Sequence, residues 1–86
     1  YCLPILHNGN LIGRFDPKLD RKSGTLLIQK LVMEKDIRLA KEDIDRIAEA
    51  FRSFMSFHKA DKILFEECEP AYLLETLTDA IENIAA

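Results

Sequence analysis

Leu11, Gly13 and Phe15 alternate with Ile12, Arg14 and Asp16, and further on Leu26, Ile28, Lys30 and Val32 alternate with Leu27, Gln29 and Leu31. This two-residue period predicts strands over Leu11 to Asp16 and Thr25 to Val32. Between them lies the charged run PKLDRKSG. Pro17 has no N–H to give to a ladder and Gly24 tolerates positive φ, so both strands are expected to end near these residues, with the connection in solvent. Ahead of them, Tyr1 to Leu6 forms another strand, which Pro4 confines to an edge or to a place where its missing donor is harmless. The Asn8-Gly9 pair then supplies positive φ at both central positions of a two-residue hairpin turn. The first two strands are therefore antiparallel neighbours, and the third pairs with the second as a meander. Thr25 to Ile28 is apolar on both faces, which calls for burial on both sides or for cover from another segment. Met33 to Lys35 either extend the third strand or turn away from it.

The pattern changes to helical spacing in the second half. Ile44, Ile47, Ala48, Phe51, Phe54, Met55 and His58 recur every three or four residues and predict a helix from about Lys41 to His58. Glu42 and Asp43 suit the positive end of its dipole, although Ala40 and Lys41 are poor caps. KILFE, from Lys62 to Glu66, is long enough for one short strand back to the sheet, centred on Ile63 to Phe65. Pro70 is placed at the start of a second helix, where a missing donor costs nothing. Leu73, Leu74, Leu77, Ala80, Ile81 and Ile84 form that helix's apolar stripe. The resulting architecture is α+β in the order strand, strand, strand, helix, strand, helix. Its sheet is mainly antiparallel, and both helices pack on one face. Phe51, Phe54, Leu73, Leu77 and Ile81 are expected to be buried between helix and sheet.

Length and composition restrict this to one small domain over all 86 residues, with 48% hydrophobic and 31% charged content and no internal repeat or linker. No apolar run approaches a membrane span and no leader pattern is present, so the expectation is a cytoplasmic monomer without membrane contact. A chain opening on Tyr1 directly in a strand pattern reads as an excised piece of a longer protein. The two cysteines, Cys2 and Cys68, read as buried thiols, although a bridge between them is possible in principle. Glu66, Glu67 and Glu69 lack the Asp, Asn and Gly pattern of a calcium loop and read as a solvated acidic turn. His7 reads as a solvated strand-end residue and His58 as a structural one, stabilised by the helix C-terminus.

The chain carries no phosphate loop, nucleophile–base pair or metal motif, so neither a metal nor a cofactor is expected. Its net charge of −3 argues against nucleic acid, but the charge is unevenly spread. Residues 1–30 hold Arg14, Lys18, Arg21, Lys22 and Lys30 against Asp16 and Asp20, a local +3, while the remainder carries −6. Local basic charge of this kind can contact phosphates even on an acidic protein.

The run YCLPIL, a short turn, and then LIGRFDPKLDRKSGTL resembles the C-terminal region of the YcaQ/AlkZ family of winged-helix DNA glycosylases. The family pattern is an aromatic residue, an apolar-Pro-apolar strand, a turn, and a strand closing on Gly-Arg-(apolar)-Asp-Pro-Lys-x-Asp-Arg-Lys. Tyr1, Leu3 to Leu6 and Gly13 to Lys22 match it, over roughly the first third of the chain. The resemblance implies a DNA-contacting accessory domain of a glycosylase-like parent that excises alkylated bases, including crosslinked ones. In such a parent the strands complete a β-barrel-like unit beside winged-helix segments of the same chain. Double-stranded DNA would be held non-specifically by Arg14, Lys18, Arg21 and Lys22, with Asp16, Pro17, Asp20 and Gly24 ordering the connection. The family's catalytic Gln-(apolar)-Gln or Gln-(apolar)-Asp motif belongs to the N-terminal part of such proteins and is absent here, so these residues are not expected to be an enzyme by themselves. The alternative is a structural or protein-interaction domain whose charged connection is a solvated tip.

Overall fold

A computed structural model describes residues 2–85; Tyr1, expected in the first strand, lies outside them. The described elements are β1 (Leu3–His7), β2 (Asn10–Asp20), β3 (Thr25–Met33), α1 (Lys41–Phe57), β4 (Lys62–Phe65), β5 (Cys68–Glu69) and α2 (Leu73–Ala85). The protein is α+β, as its pattern predicts. The sheet runs β1-β2-β3-β4, with β5 pairing β3 beyond the end of β4. The β1–β2 and β2–β3 pairs are antiparallel, whereas β4 and β5 both run parallel to β3. The sheet is therefore mixed and open, not closed into a barrel. Parallel pairing requires a long crossover, which the segment containing α1 provides.

Asn8 and Gly9 have φ of 52° and 80°, the left-handed pair that a two-residue hairpin turn needs. β2 departs from the expected boundary, because it does not stop at Pro17 but continues to Asp20. Pro17 lies past the last β1–β2 pair, Leu3 with Phe15, and at a slip in the β2–β3 register where Gln29 has no partner. A missing N–H is tolerated at such an irregularity, so the proline bends the strand's pairing without ending it. The charged connection thereby shrinks to the turn at residues 21–24. β3 extends through Met33, and the Glu34 N–H closes the end of the sheet on the Ile12 carbonyl at 2.8 Å.

The face of the sheet carrying Phe15, Leu26, Ile28, Leu31 and Met33 is buried, and these residues form one core with the helices. Ile44, Ile47, Ala48, Phe51 and Met55 come from α1 and Leu73, Leu77 and Ile81 from α2. Leu26, Ile28, Leu31, Leu73 and Leu77 are the largest fully buried side chains, each stabilising the fold by about 1.5–3 kcal/mol. Phe51 meets Phe15 and Phe65 edge to face, at centroid distances of 5.0 and 5.4 Å, and so joins α1 to two strands. Phe54, expected in the core, is only half-buried, as is His58 below it. Leu74 and Ile84 of the α2 stripe are exposed.

The opposite face has no described helix over it. Leu27 lies there half-buried, in register with Leu64, which is 60% exposed. The two-sided burial expected for Thr25 to Ile28 is thus absent on this side.

Local chemistry explains the remaining ends. Ala40 cannot cap α1 with its side chain, but its N–H donates to the Asp43 Oδ2 at 2.9 Å, which supplies the reverse half of a capping box. His58 follows α1 and donates its backbone N–H to the Phe54 carbonyl. α2 begins at Leu73 rather than at Pro70, whose carbonyl instead accepts the Leu73 N–H in a preceding turn. β5, which the sequence pattern does not announce, buries Cys68, while Cys2 is exposed and both thiols are free. No described helix is long and apolar enough to cross a membrane.

Candidate nucleic-acid interface

Four charged side chains alternate on the open side of β2: Arg14, Asp16, Lys18 and Asp20. Two-residue spacing puts them on one face, with Arg14 and Lys18 about 13 Å apart along the strand. They sit on a strand because β2 passes through Pro17, not because a loop presents them. Arg14 stands between Pro4 of β1 and Val32 of β3, and Lys18 stands opposite Leu27. Their neighbours across the sheet are therefore uncharged, and the aliphatic stems can lie on apolar surface while the charged heads face solvent. Both are exposed.

The two acids have different surroundings. Asp16 is half-buried opposite Lys30, which itself pairs with Glu67 at 3.4 Å. Asp20 ends the strand, and its Oδ1 accepts the Lys22 N–H at 3.1 Å, holding the first residues of the turn. Among the described residues neither acid forms an ion pair with Arg14 or Arg21.

Arg21 and Lys22 are exposed in the turn itself. The turn is tied down from the far side of the sheet at Gly24, where φ is +70°. The Gly24 carbonyl accepts the N–H groups of Asp61 and Lys62 at 2.9 and 3.2 Å. A Cβ at Gly24 would stand 2.8 Å from the Asp61 Oδ1, so both the backbone conformation and the contact favour glycine. Ser23 adds a hydroxyl bond to Thr25 Oγ1 at 2.9 Å.

The fold brings a further cation to this end of the sheet. Lys62 registers against Thr25, the residue that also pairs with Asp20. A single lysine at the start of KILFE gives no sign in sequence of which strand it will neighbour; its alternation with Ile63, which packs on the core, is the signal that puts it on the open face. Arg14, Lys18, Arg21 and Lys22 form no salt bridge among the described residues. Glu66, Glu67 and Glu69 do not converge, and no described group of three or more His, Cys, Asp or Glu side chains could hold a metal ion. Taken together, the surface offers a row of exposed cations, interrupted by two carboxylates, running from mid-sheet to a pinned turn. No protein-family model matches this sequence, and no solved structure matches it either.

Proposed function

We propose that this domain is a DNA-contacting accessory domain of a winged-helix glycosylase-like protein. It touches the backbone of double-stranded DNA without reading sequence and performs no chemistry itself. The observation that supports this reading is the line of Arg14, Lys18, Arg21 and Lys22, all exposed and free of carboxylate partners among the described residues. The strand and the pinned turn fix the backbone beneath these cations, and contacts to phosphates position a protein without specifying bases. Winged-helix segments of a parent chain would supply the remaining grip.

Four phosphate contacts correspond to a salt slope of roughly −3 to −4 in log–log form, and to affinity in the non-specific range of about 10⁻⁴ to 10⁻⁶ M. The test is an NMR titration of the chain with duplex DNA at low salt, alongside an Arg21→Ala/Lys22→Ala variant. Shift changes should gather at residues 14–24 and weaken in the variant. Changes gathering on the helices, or an unaltered response of the variant, would overturn the proposal.

A second reading, a protein-interaction domain, draws on a different observation: Leu27 and exposed Leu64 lie side by side on the uncovered face. Under that reading Leu64→Ala, which trims the apolar patch without adding charge beside Lys18, weakens binding of a protein partner, and duplex DNA moves no signals at residues 14–24.

A further inference from the structure

On the helix-covered side of the sheet, a groove of about 310 Å³ runs between β1 and α1. His7 meets Asp43 at one end of it, Nε2 to Oδ1 3.7 Å. At the other end Leu3 shares a small cavity with Phe54 and His58. β1 and α1 therefore run in opposite directions along the groove, and their lengths match: five strand residues and the Asp43-to-Phe54 stretch of helix each span about 16 Å. The floor and walls are apolar, formed chiefly by Ile5, Ile12, Phe15, Ile47, Phe51 and Phe54. Arg38, from the segment before α1, and Arg46, on α1, stand at the rim, both exposed. Neither forms a salt bridge among the described residues. The one carboxylate in the lining, Asp43, accepts the Ala40 N–H at Oδ2, and its Oδ1 lies 3.7 Å from His7 Nε2, an ion pair only when the imidazole is protonated.

An apolar trough with two uncommitted guanidinium groups at its mouth is complementary to a molecule with an apolar body and an anionic end. Size and backbone chemistry narrow the occupant. At roughly 30 Å³ per water-sized unit the space holds about ten non-hydrogen atoms. An extended peptide adding to β1 would meet Pro4, which lines the groove and has no N–H to contribute to a new ladder. We infer that the groove between β1 and α1 binds a small amphiphilic carboxylate, with its chain over Ile47 and Phe51 and its carboxylate at Arg38 and Arg46. This site is independent of the proposed DNA contacts, which lie on the opposite face of the sheet.

Octanoate, with ten non-hydrogen atoms, is the probe, and 1-octanol is its neutral counterpart. NMR titration of the chain with octanoate should move the signals of Ile5, Ile47 and Ala50 saturably, and 1-octanol should bind at least about fivefold more weakly. Replacing both exposed arginines, Arg38→Ala/Arg46→Ala, should remove that preference without changing the melting transition. Ala50→Leu, which fills the groove from an exposed helix position, should abolish binding of both probes with the fold intact. Equal affinity for octanol and octanoate, or octanoate shifts elsewhere in the chain, would overturn the inference. Saturable shifts of the same residues by an acidic apolar peptide and not by octanoate would also overturn it, placing a protein partner in the groove.

Discussion

Replacing Phe51 by alanine tests the core directly. The ring is 4% exposed and sits between Phe15 and Phe65, at 5.0 and 5.4 Å, so truncation removes contacts to β2 and β4 together. Phenylalanine-to-alanine changes at such sites cost about 3–5 kcal/mol, combining lost transfer free energy with an unfilled cavity. At roughly 0.05–0.15 kcal/mol per residue, a domain of this size has a total stability of about 4–13 kcal/mol, so the loss is a large fraction of the whole. With a urea m-value of about 1.5 kcal/mol/M, the unfolding midpoint should fall by about 2–3 M, measured by far-UV circular dichroism. Phe57→Ala is the matched control: that ring is 82% exposed, and its loss should shift stability by no more than about 0.5 kcal/mol. If the two variants unfold at the same midpoint, α1 presents a different face to the sheet and the packing described above is wrong.

Gly24→Ala should destabilise the domain by about 1–2 kcal/mol, because the residue is left-handed and its new Cβ would crowd Asp61; an unchanged thermal midpoint would show that the turn relaxes freely. Asp16→Ala should tighten DNA binding in a low-salt titration while leaving the amide exchange of residues 21–24 as it was, since Asp16 lies within β2 and not in the turn. Cys2 is exposed, whereas burial pushes the Cys68 thiol above its ordinary pKa. Alkylation at neutral pH, followed by mass spectrometry, should therefore modify Cys2 first and reach Cys68 only as the protein opens.

Local rules read most of the fold. Asn8-Gly9 announced its hairpin because few other dipeptides supply two positive φ values cheaply. The α1 stripe announced its helix because five buried positions recur at helical spacing. What escaped the pattern depends on distant partners. Nothing local in KILF states that it will run parallel to β3, and the two residues of β5 are too few to show any period. His7 is a similar case: no ligand-spaced neighbour exists in sequence, yet the fold brings Asp43 to 3.7 Å from it.

Pro17 carries the largest consequence for the candidate site. Read locally, it ends a strand and leaves a charged connection projecting into solvent. In the fold, the unpaired Gln29 on β3 absorbs the irregularity, so the alternation of β2 continues unbroken from Arg14 to Asp20. The basic residues are consequently divided into two kinds. Arg14 and Lys18 have strand positions fixed by cross-strand pairing, whereas Arg21 and Lys22 depend on the Asp20 and Gly24 bonds that hold the turn. The same alternation puts Asp16 between the two strand cations, where it faces Lys30. Lys30 in turn is drawn toward Glu67, on the connection between β4 and β5. Asp16 therefore has no ion-pair partner among the described residues, and the backbone N–H that Asp20 accepts leaves its charge in place, so four unpaired cations against two carboxylates leave a local +2 to meet an anionic surface, despite a net charge of −3 for the chain.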